Sequence, residues 1–150
     1  MTGRKLSAAA AISLMAATAL VGCSPLISSG ACVDWVLYDT PTDAATEADA
    51  VVIGSVIGPA GTATEFGLEA NVWRVAATTW VQGRGGSEIE VVSAPRTCEN
   101  GAPYPDGDPL DVSTDVLLFL RADGDRWMTI TPYQAVLPAP TDPGIPSVWP

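Results

Sequence analysis

The sequence predicts a mainly β fold: a small closed barrel of five to six short strands with one short helix. Three observations carry this. Short β-branched or apolar runs recur between glycine, aspartate and proline turns, the spacing of an all-β domain. The strongest of these runs holds a glycine at Gly54, which suggests a bulge or sharp bend of the kind a barrel strand needs. Helix-start chemistry occurs once, at Thr40-Pro41, and no repeat or heptad pattern appears.

Taken in order, the chain opens on Arg4 and Lys5, followed by an apolar run over residues 6–20 and then Leu20-Val21-Gly22-Cys23. A run of about 15 residues suits a signal-peptide core and is too short to span a bilayer. The tetrapeptide resembles a lipobox, which implies diacylglycerol on the Cys23 thiol and cleavage before it. The run has no polar face, so an amphipathic helix is a poor alternative. A second small-residue cleavage site at Ser29-Gly30-Ala31 lies far from the apolar run. The expected divisions are a signal peptide over 1–22, a tether over 23–31, a barrel domain over 32–137 and a proline-rich tail over 138–150. The expected location is extracytoplasmic, on the outer face of the cell membrane through the lipid anchor.

Residues 32–38 read as extended, with apolar and aromatic side chains that need cover. Thr40 is the expected N-cap, Pro41 the first helical residue, and Asp43 sits at the positive end of the helix dipole. Residues 50–58 are nearly apolar on both faces, which marks a central strand. A Gly/Thr/Ala loop is expected next, then a long extended segment over 68–81 and a glycine turn over 82–87. Glu88 to Val92 alternates with period two, placing Ile89 and Val91 inward. Residues 93–115 read as an irregular loop holding Cys98. A second doubly buried strand covers 116–120, and a tight turn at Asp123-Gly124 leads into a strand over 127–131. Residues 133–137 add a short strand. The tail, with five prolines, is expected to be extended or disordered.

Removing 22 residues from 150 leaves 128, the size of one small domain. Loss of Arg4 and Lys5 leaves five basic against 17 acidic side chains, a net charge of −12. Such a surface repels nucleic acid and anionic membranes, so contact with the membrane is expected through the anchor alone. The mature part has no lysine and the whole chain no histidine. Arginine in place of lysine points to a GC-rich, actinobacterial genome. Missing histidine removes the commonest general base and zinc ligand. With Cys23 taken by lipid, Cys32 and Cys98 remain as a pair in an oxidising compartment. Two separate thiols or a redox pair are the alternatives, and the lack of C-x-x-C spacing favours a structural disulfide.

The succession of residues 50–56, Val72-Trp73-Arg74-Val75, Trp80-Val81-Gln82-Gly83, residues 88–92, Thr97-Cys98 and residues 116–120 resembles bacterial relatives of the netrin-like domain. That domain is the OB-type barrel of the tissue inhibitors of metalloproteinases. The resemblance spans residues 32–137 and implies an OB-like closed or partly open barrel. In those inhibitors the first cysteine's free amine and carbonyl chelate the protease zinc. Cleavage before Cys23 makes the Cys32 nitrogen an ordinary amide, so the chelating mechanism does not carry over.

Clustered carboxylates at Asp106, Asp108 and Asp111, with Asp115 nearby, are the best candidates for a metal site, with Ca²⁺ as the ion. Their spacing is not that of an EF-hand, and aspartates that begin bends explain them without a metal. Ser55 lies in a strong strand but has no histidine or lysine to activate it. The pairs Glu65/Glu69 and Glu88/Glu90 are ordinary on an acidic surface, and Gly83-Arg84-Gly85-Gly86 is only a turn. Most tryptophans are expected to cover the core, while Trp149 has little to pack on. The expected function is therefore a lipid-anchored, extracytoplasmic binding module without catalytic activity, whose partner is a protein or envelope component. One alternative is a protease-inhibitor-like protein acting through a barrel-edge loop. Another is a metal-dependent enzyme using the aspartate loop over 106–115.

Overall fold

A computed structural model describes residues 32–98 and 101–150. The lipobox, Cys23 and the tether over 23–31 lie outside the described residues. Helix α1 (Pro41–Glu47) starts as its sequence dictates. The Thr40 hydroxyl accepts the Asp43 N–H, and the Asp43 carboxylate accepts the Thr40 N–H, a reciprocal capping box.

Strands β1 (Ala50–Glu65) and β2 (Leu68–Gln82) form one long antiparallel hairpin. The Gly/Thr/Ala stretch expected as a loop is strand instead. It turns only at Phe66-Gly67, where both residues take positive φ (53° and 80°). Register shifts at Val56/Gly58 and Pro59/Gly61 absorb the irregular residues. Pro59 is tolerated because the pairing of β1 with its other neighbour stops at Ser55, which leaves this length as an edge. Gly54 sits at a shift of register as expected. A Cβ there would lie 2.4 Å from the Ala76 carbonyl oxygen, so β1 and β2 approach too closely for any side chain.

Strands β3 (Glu88–Val92), β4 (Asp115–Asp123), β5 (Arg126–Thr129) and β6 (Val136–Pro138) complete a single six-stranded sheet. A ring runs β1-β2-β3-β5-β4 and closes by the pairing of β1 with β4. β3 and β5 pair in parallel, while the other neighbours are antiparallel. Among the described residues, the predicted small mainly β barrel with one short helix is therefore present. Ile89 and Val91 are buried, in line with their alternation.

The ring explains why β1 and β4 are apolar on both faces. Val52, Val116, Leu118 and Leu120 meet Val75, Ile89 and Val91 in the barrel interior. Val51, Ile53, Leu117 and Phe119 point outward, under Ala44, Ala45 and Ala48 around α1. Leu110, from the long loop between β3 and β4, is fully buried in the interior cluster and closes the barrel.

The tail over 139–150 departs from expectation. It has no regular secondary structure, yet Ala139, Ile145 and Trp149 pack on the outer cluster. Trp149 meets Phe119 edge-on at 6.1 Å and donates its indole N–H to the Tyr38 carbonyl at 2.9 Å. The prolines prevent helix and strand without preventing burial of the apolar residues between them.

Candidate functional site

The aspartates of the long loop are drawn into separate structural roles. Asp108 is a hub: Oδ1 accepts the Ser93 hydroxyl at 2.7 Å and the Leu110 N–H at 2.9 Å. Its Oδ2 accepts Asn71 Nδ2 at 2.7 Å and Trp73 Nε1 at 2.9 Å. Both oxygens thus face donor hydrogens where a cation would need lone pairs. Asp106 instead pairs with Arg96 at 2.8 Å, and the Asp111 N–H donates to the Asp108 carbonyl. Among the described residues, no group of three or more acidic, cysteine or histidine side chains is placed to hold a metal. The expected grouping of Asp106, Asp108 and Asp111 is not formed: the Asp108 and Asp106 carboxylates are taken up by different donors, and Asp111 is exposed.

Tyr104 completes this network. Its hydroxyl donates to the Ser93 carbonyl at 2.7 Å and accepts the Asn71 N–H at 3.0 Å. Burial, with the Asp108 charge adding to it, pushes its pKa up to about 12, so the phenol stays protonated. Asn71, Trp73, Ser93 and Tyr104 carried no functional signal in the sequence. The one local cue was Asp108 two residues before Leu110, the spacing of an Asx turn. Ser55 donates its hydroxyl to Asp115, its cross-strand partner, where the β1–β4 pairing ends. That contact ties the two strands where their pairing ends.

The expected disulfide is present. Cys32 and Cys98 are bonded, with Cα atoms 5.0 Å apart. Beside them the Val33 N–H donates to Thr97 Oγ1 at 2.7 Å, which fixes the start of the segment over 33–38. Gln134 fixes its end, accepting the Tyr38 N–H at 2.8 Å and donating to the Tyr38 carbonyl at 3.1 Å. Gln134 reaches this position because the chain leaves β4 between β5 and β6. The Phe119 carbonyl accepts the Ile130 N–H and its N–H donates to the Ala135 carbonyl, so residues 131–134 loop outward.

That excursion also carries Tyr133 to the rim, under the Arg96 guanidinium at 4.9 Å from the ring centroid. Two clefts of about 290 Å³ each adjoin at Tyr133. One is lined by Val33, Asp34, Trp35, Leu37, Thr97 and Cys98. The other is lined by Arg96, Pro103, Tyr104, Asp106, Gly107, Asp108, Pro109 and Pro132. Trp35 is held edge-on to Phe66 at 5.4 Å, with the Arg121 guanidinium about equally close to both rings, at 6.0 and 5.9 Å. Val36 and Leu37 stay 59% and 67% exposed, too open to be counted as core.

No protein-family model matches the chain, and no curated protein matches it in sequence.

Proposed function

We propose that the chain is a lipid-anchored, extracytoplasmic binding module without catalytic activity, built on an OB-like barrel. The strand order β1-β2-β3-β5-β4, closed by β1 with β4, supports the OB-like part of this reading. The observation that carries the functional part is the rim around Cys32–Cys98. Two adjoining clefts and the exposed side chains of Leu37 and Tyr133 gather there. The groups suited to chemistry, Asp108 and Ser55, are meanwhile taken up in internal hydrogen bonds. Convergent apolar and aromatic surface with a few polar groups is the make-up of a recognition site. The partner is a protein or other envelope component, and the lipid on Cys23 keeps the module at the outer face of the membrane.

A photoreactive phenylalanine analogue at Tyr133 in the full-length protein, expressed in its host, tests this. A crosslinked species from Tyr133 that is absent when the analogue replaces Glu88, in a different cleft, is the expected result. No crosslink from Tyr133, or the same species from both positions, overturns it. Mass spectrometry of the mature N-terminus tests the anchor: a diacylated Cys23 is expected, and a chain starting at Cys32 removes it. An inhibitor-like action would use the same disulfide rim, and assays against extracellular metalloproteases would reveal it.

A further inference from the structure

The geometry points to the segment over 33–38 as an edge on which a basic, extended polypeptide segment of a partner docks as an added strand. This deepens the binding-module reading and rests on it. The segment is tied at Val33 by Thr97 and at Tyr38 by Gln134. Between these ties, no backbone group of residues 34–37 bonds to another described residue. Exposure alternates along the segment up to Val36, as in a strand, and Val36 and Leu37 stand out from the surface. Backbone groups without a partner among the described residues, beside exposed apolar side chains, are a template for strand addition.

Charge selects the occupant. Val36 and Tyr38 share a cleft of about 400 Å³ with Asp43 and Glu47 on α1, and Asp34 lines the neighbouring cleft. A chain of net charge −10 repels a second copy of itself and draws in a cationic segment. The same segment also holds an unsatisfied donor. The Trp35 indole N–H is buried with no acceptor among the described residues.

Hydrogen exchange read by mass spectrometry on the full-length protein in neutral detergent tests the inference. The probes are a peptide of alternating lysine and valine and its counterpart of alternating glutamate and valine. The lysine peptide is expected to slow exchange across 33–38 about tenfold, in a salt-sensitive manner, and the glutamate peptide to leave it unchanged. Leu37→Lys, at an exposed position, removes the apolar contact and adds a like charge, and is expected to weaken lysine-peptide binding at least about tenfold, with Glu47→Gln weakening it less. Equal protection by both peptides overturns the inference, as does protection only outside 33–38. Protection that appears with protein concentration alone also overturns it, in favour of self-pairing. A partner crosslinked through Tyr133 while 33–38 stays unprotected by the lysine peptide leaves the binding-module reading standing and sinks this one.

Discussion

Asp108 Oδ2 accepts the indole N–H of Trp73 at 2.9 Å, tying the loop between β3 and β4 to β2 on the barrel wall. With Asn71, Ser93 and Leu110 on the remaining lone pairs, one carboxylate organises the whole loop. Asp108→Ala leaves those donors unmatched and is expected to destabilise the domain by about 3 kcal/mol in urea unfolding. Asp106→Ala, at an exposed pair with Arg96, is expected to change stability by less than about 1 kcal/mol. Equal effects would contradict the hub.

Leu110 is the loop's contribution to the barrel interior and is fully buried. Leu110→Ala is expected to cost about 2–5 kcal/mol through lost transfer energy and the cavity left behind. Val112→Ala, two residues on and exposed, should fall within about 0.5 kcal/mol. Matching denaturation midpoints for the two variants would contradict the plug.

Tyr104 titrates late because burial favours its neutral form, with the pKa pushed up to about 12 from the ordinary phenol value of 10.0. The folded state holds this proton more tightly than the unfolded chain. Its contribution to stability is therefore complete below pH 10 and is lost as pH rises from 10 toward 12. Ultraviolet titration of tyrosinate should show a late-ionising phenol that Tyr104→Phe removes. The variant's stability should also fall less steeply over that window.

The disulfide closes a sequence separation of 66 residues. In the chain-entropy model its reduction is expected to cost roughly 4 kcal/mol. Paired Cys32→Ala and Cys98→Ala substitutions should reproduce the effect in urea unfolding, and reductant should then have no further effect. Proteolysis should begin within 33–38 before the barrel unfolds.

Trp149 holds the tail through Phe119 and the Tyr38 carbonyl. Trp149→Ala is expected to cost about 2 kcal/mol, below a fully buried tryptophan because this one is half-buried. Limited proteolysis should then clip the tail while the barrel resists.

The features legible in the sequence rest on local physics. The Thr40, Pro41 and Asp43 cap needs no partner outside its own turn, so its spelling is enough to place α1. Gly54 as a bend and the inward alternation of Ile89 and Val91 follow from sterics and period two. Residues 58–65 read as a loop because glycine, proline and threonine carry turn propensity. Pairing with β2 across one edge overrides that propensity.

By itself the sequence determined the class of fold, the one helix and the strands buried on both faces. It also singled out Cys32 and Cys98 as a pair. These follow from residue type and short-range periodicity. Only the tertiary structure decided what the aspartates do, since Asp108 finds Ser93, Trp73 and Asn71 at separations of 15, 35 and 37 residues. Only it seated Trp149 on Phe119 and carried Tyr133 to the disulfide rim. A lone carboxylate or indole reads the same in sequence whether its partner is water or a distant strand. Closure of the ring decides which of them it meets.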